Sequence, residues 1–129
     1  MKHVLILEDR LEVLAALLLE CDRLEQESGV LLRVTVYSTA TDVIDFVNPQ
    51  AGEAFDAIVL DRNCKRGDSF HIIDLEHFGP DKIISISSLP RFNAEVRARG
   101  VSRSVEKGEG ELGSFAAEVV AELAQVLKL

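Results

Sequence analysis

The chain has 129 residues, enough for one domain with a substantial hydrophobic core and too few for two. Apolar residues make up 47% and charged residues 28%, a globular composition, and no apolar run approaches the roughly 20 residues of a membrane span. With 22 acidic and 14 basic side chains the net charge is -8, which argues against binding to nucleic-acid phosphates. We expect a single domain over residues 1–129, located in the cytoplasm, without a signal peptide or membrane contact. Its two cysteines should be free thiols.

Short strand-like runs alternate along the chain with longer stretches of helical periodicity, a pattern typical of repeated β-α units. The helical stretches have apolar residues every three to four positions, whereas the strand-like runs are continuous or alternating. The predicted strands cover residues 3–7, 32–37, 57–60, 82–86 and 101–106, and the predicted helices cover 11–27, 41–47, 69–76, 91–99 and 113–127.

The polarity of the strands predicts their order in the sheet. Strands one, three and four are apolar throughout and belong in the middle, while strands two and five carry more polar residues and should be edges. Together with the rules for parallel connections, this gives a doubly wound α/β fold with a five-stranded parallel sheet in the order 2-1-3-4-5. Helices would cover both faces, as in a flavodoxin-like three-layer sandwich.

Four of the predicted strands end in residues suited to phosphoryl transfer. Glu8 and Asp9 follow the first strand, Asp61 the third, Ser87 the fourth and Lys107 the fifth. In an open parallel sheet, the ligand crevice lies outside the carboxyl ends of the strands, where the strand order reverses. The three acids, the hydroxyl and the lysine are therefore predicted to meet at one edge.

Three carboxylates in one crevice repel one another, so they must take up protons or bind a cation. Oxygen-only ligands suit magnesium (Mg2+) better than zinc, and no histidine in the chain is placed to join them. A carboxylate beside Mg2+ and a lysine ammonium can act as a nucleophile toward a phosphoryl donor. Asp61 is the best placed nucleophile, with Ser87 as a hydrogen-bond donor to the new phosphoryl group.

These residues resemble the receiver domains of two-component response regulators. That family has an acidic pair after strand one, a phosphoacceptor aspartate after strand three, serine or threonine after strand four and lysine after strand five. The segments LILEDR, AIVLDRN, ISISS and SVEKG supply Glu8 and Asp9, Asp61, Ser87 and Lys107 in that order. The resemblance covers essentially the whole chain.

The resemblance implies a metal site. Asp9, Asp61 and the backbone carbonyl of Asn63 would hold Mg2+, and Glu8 would orient a metal-bound water. It also implies that a histidine kinase or phosphotransfer protein phosphorylates Asp61.

The resemblance further implies how the phosphoryl group is recognised. Ser87 would contact it, Lys107 would pair with it, and the small Ser88 would leave it accessible. The modified domain would then change its affinity for a downstream protein, and the exposed flank of the last helix could form a homodimer.

Several positions depart from the family pattern, including Lys65, Gly108 and Ser104. Lys65 stands where a proline is usual, and Gly108 follows the lysine where a proline with a cis bond is usual. Ser104 replaces the tyrosine or phenylalanine whose inward swing reports phosphorylation to the fourth-helix surface. The fourth helix should also be short.

The favoured interpretation is a stand-alone receiver that accepts a phosphoryl group on Asp61 and turns over no separate substrate. A degenerate receiver that binds partners without phosphorylation is the main alternative, motivated by the three departures. A third interpretation, a small Mg2+-dependent phosphatase, is less well supported, because Asn63 stands where such an enzyme has a second acid.

Overall fold

The protein, seen in a computed structural model that describes residues 1–108 and 110–129, contains one sheet of five parallel strands. The strands are β1 (Lys2–Leu7), β2 (Leu32–Tyr37), β3 (Ala57–Asp61), β4 (Ile83–Ser87) and β5 (Arg103–Glu106). The helices are α1 (Leu11–Ser28), α2 (Ala40–Asp42, continued by a π-helical turn over Val43–Val47), α3 (Leu75–Phe78), α4 (Pro90–Arg97) and α5 (Leu112–Leu127). Short 3-10 turns cover Lys65–Gly67, Phe70–Ile72 and Pro80–Lys82.

The strand order is β2-β1-β3-β4-β5, as the sequence predicted. All residues of β3 and β4 are buried, because helices cover both faces of the central strands. In the register of the sheet, Leu7 pairs with Leu60 and Asp61 pairs with Ile86. The carboxyl ends of the central strands therefore lie at the same level, and the residues that follow them share one edge.

Two apolar layers hold the helices on the sheet. Alternate residues of the central strands, such as Val4 and Val59, pack against α1 and α5. Their neighbours on the opposite face, such as Leu5 and Leu60, pack against α2, α3 and α4. This alternation follows from the two-residue repeat of a β-strand.

The predicted helix over residues 69–76 is wrong. The structure has a 3-10 turn over Phe70–Ile72, then a break, and then α3 over Leu75–Phe78. The side chains of Ser69 and Asp74 accept hydrogen bonds from backbone amides two and three residues further on. Each polar side chain thus begins its own short element, because it competes with the backbone for these amides.

The segment after α4 also differs in its boundaries from the prediction. The fourth helix covers Pro90–Arg97 rather than 91–99, and β5 begins at Arg103 rather than at residue 101. Gly100 has a φ of 99°, in the left-handed region that favours glycine, and this turn ends the helical segment. The buried Val101 then fills the second apolar layer before the strand begins.

Among the residues that the structure describes, none of the helices is both long and apolar enough to cross a membrane. Cys21 and Cys64 are both buried free thiols, as predicted.

A buried polar pair links β4 to α4. The Ser85 hydroxyl donates a hydrogen bond of 2.6 Å to Asn93 Oδ1, and Asn93 Nδ2 is buried without a partner among the described residues. We predict that Ser85→Ala lowers the free energy of unfolding by about 1–3 kcal/mol, since the amide then loses the one partner that it has among the described residues. The double variant Ser85→Ala/Asn93→Leu should recover most of this loss.

Urea denaturation of the three proteins measures these changes, with Ser102→Ala at an exposed position as the control. A Ser85→Ala variant as stable as the wild type would show that this pair contributes nothing.

Candidate functional site

The acidic residues that follow β1 and β3 lie at the point where the strand order reverses. Glu8, Asp9 and Asp61 each place a carboxylate oxygen within 4.8 Å of the other two. Their proximity was predicted from the strand order alone. It arises because β1 and β3 are paired neighbours whose ends are level.

The three carboxylates differ in burial and in their hydrogen bonds. Glu8 is fully buried, Asp61 is 5% exposed and Asp9 is half-buried. The Arg10 amide donates to Glu8 Oε1 at 3.1 Å, and the Arg62 amide donates to Asp61 Oδ1 at 2.8 Å. The chain that leaves each strand therefore holds one oxygen of the preceding carboxylate in place.

The side chain of Lys107, the residue after β5, lies within the acidic cluster. Its ammonium nitrogen lies 2.8 Å from Glu8 Oε2 and 3.1 Å from Asp61 Oδ1, and its side chain is only 12% exposed. The Lys107 amide donates to the Ser87 carbonyl at 2.8 Å, which fixes the backbone at the end of β5. The sequence predicted that Lys107 and Asp61 share an edge, and the structure shows that the lysine contacts two acids at once.

Ser87 stands beside this cluster at the end of β4. Its hydroxyl oxygen accepts a hydrogen bond of 3.1 Å from the Leu89 amide. No acceptor for the hydroxyl proton is found among the described residues, so this proton is available to a group in the adjoining cavity. Ser88 is exposed beside it.

An open cavity of about 490 Å³ lies above the acidic cluster. Most of the predicted site residues line it, and Glu8 lies beneath its floor. The lining residues are Asp9, Arg10, Asp61, Asn63, Ser87, Ser88, Lys107, Gly108 and Leu112. Sequence reasoning missed Arg10 and Leu112, although each stands at or next to the start of a helix that follows a site strand.

Ser104 is the predicted site residue that lies away from this cavity and from the acidic cluster. It lies under α4, half-buried, where its hydroxyl accepts a hydrogen bond of 3.1 Å from Arg97 Nη2. A short polar contact thus joins β5 to α4 at this position.

The electrostatics of the cluster are unbalanced, since three carboxylates face one ammonium group. Burial raises the pKa of Glu8 to about 7, and repulsion from Asp61 adds to this effect while Lys107 opposes it. Burial also raises the pKa of Asp61, with Lys107 again the main opposing influence. Binding of either a proton or a cation therefore stabilises the cluster.

The donor set fits a hard divalent cation. Every member of the acidic cluster offers a carboxylate oxygen, and Asn63 lines the same cavity. Within the described ranges, no histidine or cysteine belongs to this cluster, so the site lacks the ligands that zinc prefers. Oxygen donors of this kind suit Mg2+.

No model of a known protein family matches the chain, and no curated protein matches it in sequence. Several solved structures are similar, and two of them are response regulators. The bacteriophytochrome response regulator RtBRR has 15% identity and a TM-score of 0.62, over 95% of this chain and 78% of that one. A protein described as a two-component system response regulator/GGDEF domain protein has 16% identity and a TM-score of 0.64, over 98% of this chain and 46% of that one.

The chain has the receiver fold. Its strand order and flanking helices match those of the two response regulators over nearly its whole length. It spans less than half of the length of the second of these proteins. At this level of identity the likeness concerns the fold, so the roles of individual residues depend on the site geometry.

Within this receiver fold, the raised pKa of Glu8 predicts a pH-dependent stability. The unfolded side chain loses its proton near pH 4.5 and the folded one near pH 7, so the wild type loses stability as the pH rises through this window. In chelator, Glu8→Gln should have nearly wild-type stability at pH 4. By pH 8 the variant should be more stable than the wild type by about 3 kcal/mol at most.

Urea denaturation at a series of pH values measures this difference. Glu12→Gln removes a carboxylate from an exposed position of α1 and should show no such pH dependence. A stability difference between Glu8→Gln and wild type that is constant with pH would contradict the raised pKa.

Proposed function

We propose that this chain is a phosphoacceptor receiver of two-component signal transduction. In this proposal, Asp61 accepts a phosphoryl group from a histidine kinase or phosphotransfer protein in the cytoplasm, and the domain then changes its affinity for a downstream protein. The observation that carries the proposal is the contact of Lys107 Nζ with Asp61 Oδ1, at 3.1 Å, inside an acidic cluster that opens to a cavity. The receiver fold supports it.

The transfer would use the second oxygen of Asp61. Oδ1 is held by the Arg62 amide and by Lys107, whereas the described residues form no hydrogen bond to Oδ2. Oδ2 would attack the phosphorus of a phosphohistidine, forming an O–P bond while the N–P bond breaks. The electron pair of that bond stays on the imidazole nitrogen, which takes a proton from solvent.

The surrounding side chains would stabilise the transferred group. The Lys107 ammonium, already beside Asp61, would neutralise part of the charge on the phosphoryl oxygens. The Ser87 hydroxyl would donate a hydrogen bond to one of these oxygens, and the small, exposed Ser88 leaves room for the donor. Catalysis by the chain would be limited to its own phosphorylation and dephosphorylation.

Asp9, Asp61 and the Asn63 carbonyl are proposed to hold Mg2+, with Glu8 orienting a water from below. Bound there, the ion would neutralise negative charge on the phosphoryl oxygens. The antiparallel bridge between Asn63 and Ser69 restrains the backbone at this position and supports the proposed role.

A degenerate receiver that binds its partner without phosphorylation is the second candidate. It is favoured by one observation, the hydrogen bond between Arg97 and Ser104. Ser104 stands at the position where response regulators carry a mobile aromatic ring. In this candidate, the hydrogen bond between Arg97 and Ser104 would take the place of the ring movement that reports phosphorylation to α4. Labelling of Asp61 separates the two candidates.

The metal site predicts a specific stabilisation by Mg2+. At pH 7.5, an Mg2+ concentration 100-fold above the dissociation constant should raise the free energy of unfolding by about 2.7 kcal/mol. Asp9→Asn should lose most of this gain, whereas Asp22→Asn, at an exposed position of α1, should keep it. Denaturation with and without the ion measures both, and equal responses of the two variants would contradict the site.

The phosphoacceptor role predicts a covalent adduct. Incubation with Mg2+ and acetyl phosphate or phosphoramidate should add one phosphoryl group, seen in the intact mass. Asp61→Asn and a chelator should each abolish it. Asp68→Asn, an exposed aspartate in the loop after β3, is the matched control and should be labelled like the wild type.

Failure of both donors on the folded protein would reject the phosphoacceptor and favour the phosphorylation-independent module. Labelling that persists in Asp61→Asn would place the acceptor elsewhere.

A further inference from the structure

Positive charge is concentrated in the segment that contains α4. Residues 90–104 hold four arginines and one glutamate, a net charge of 4 − 1 = +3. Because the whole chain carries -8, the rest of it carries -8 − 3 = -11. The segment is therefore a local basic region on a strongly acidic protein.

In the first turn of α4, the aromatic ring of Phe92 contacts two guanidinium groups. The guanidinium carbon of Arg62 lies 4.8 Å from the centroid of the Phe92 ring, and that of Arg91 lies 5.1 Å from it. Cation–π contact holds both groups in defined positions. Arg62 directly follows Asp61, so its backbone adjoins the proposed phosphorylation site.

The only acid of the segment is already paired. Glu95 Oε2 lies 3.3 Å from Arg62 Nε and 3.8 Å from His71 Nδ1. Burial, reinforced by the positive charge of Arg62, lowers the pKa of His71 to about 4, so the imidazole is neutral at pH 7. Glu95 therefore neutralises Arg62, and Glu122 of α5 neutralises Arg103, so Arg91, Arg97 and Arg99 are left uncompensated.

Those arginines are held by neutral acceptors. Arg97 donates to the Ser104 hydroxyl at 3.1 Å, and Arg99 donates to the His71 carbonyl at 2.9 Å. Arg91, Arg97 and Arg99 are all exposed, and none of them forms an ion pair with any residue in the described part of the chain. Their positions are restrained while their charges remain available. We define the α4 basic surface as Arg62, Arg91, Phe92, Arg97 and Arg99.

We propose that the α4 basic surface binds a short acidic segment of a partner protein. Guanidinium groups form paired hydrogen bonds with carboxylates, and three of them are uncompensated on this surface. The charge of -11 on the rest of the chain repels an extended polyanion such as nucleic acid or an anionic membrane. A short peptide can reach the surface without approaching that charge. The interaction does not require phosphorylation of Asp61, so it stands or fails independently of the proposed function.

The test uses a fluorescein-labelled hexaglutamate peptide and the unphosphorylated full chain. The variant Arg91→Gln/Arg97→Gln/Arg99→Gln removes three charges from the surface. The matched control, Arg23→Gln/Arg33→Gln/Lys128→Gln, removes three charges from other exposed positions. In 50 mM salt the peptide should shift the backbone amide resonances of residues 90–99. Its affinity should fall about tenfold in the surface variant and little in the control, because ion pairs contribute locally and are screened by added salt.

Several results would overturn the proposal. An equal loss of affinity in the two triple variants would show that only net charge matters, and the absence of localised amide shifts would show that no such surface exists. If a twelve-nucleotide oligothymidylate or phosphatidylserine vesicles bound to the same residues more tightly than the hexaglutamate peptide, the surface would be assigned to another class of partner. If the surface variant does not fold, Arg91→Gln compared with Arg33→Gln gives the same decision, with an expected loss of about twofold.

Discussion

The contact of one buried ammonium group with two buried carboxylates is the constraint on which the rest of this structure depends. Lys107 reaches from the end of β5 to Glu8 after β1 and to Asp61 after β3, so it joins three strands that are not all neighbours in the sheet. It can do so because β4, which separates β5 from β3, ends level with them and its Ser87 carbonyl anchors the Lys107 amide. Any shift in the register of these strands would leave a carboxylate buried without a partner, which is costly.

The cluster that this contact creates is not neutral, and its imbalance is the source of its chemistry. One ammonium group cannot satisfy three carboxylates, so burial and mutual repulsion raise the pKa of Glu8 and of Asp61. A site in this state favours whatever adds positive charge, and the cavity gives solvent and ligands access to it. The protein thus keeps a destabilising group at the position where the proposed function needs one, as functional sites commonly do.

The side-chain contacts around α4 differ in kind from those of the acidic cluster. Here the contacts are polar, and one is buried while two are exposed: Ser85 binds Asn93 in the interior, and Arg97 binds Ser104 and Arg62 binds Glu95 at the surface. Arg62 belongs to both regions, because its amide holds Asp61 while its guanidinium lies against Phe92 and Glu95. This residue is therefore the most direct physical connection between the acidic cluster and the α4 basic surface.

The sequence by itself determined the strand order and the residues at the site edge, because strand periodicity and strand-end position are local properties that survive without a structure. Tertiary structure alone decided that Lys107 contacts Glu8, 99 residues away, and Asp61 together. It also decided which arginines remain unpaired and that the predicted third helix is broken between its polar caps. These features depend on which side chains meet across the sheet and on how deeply they are buried. No local pattern encodes such distances, so they appear only when the layers pack.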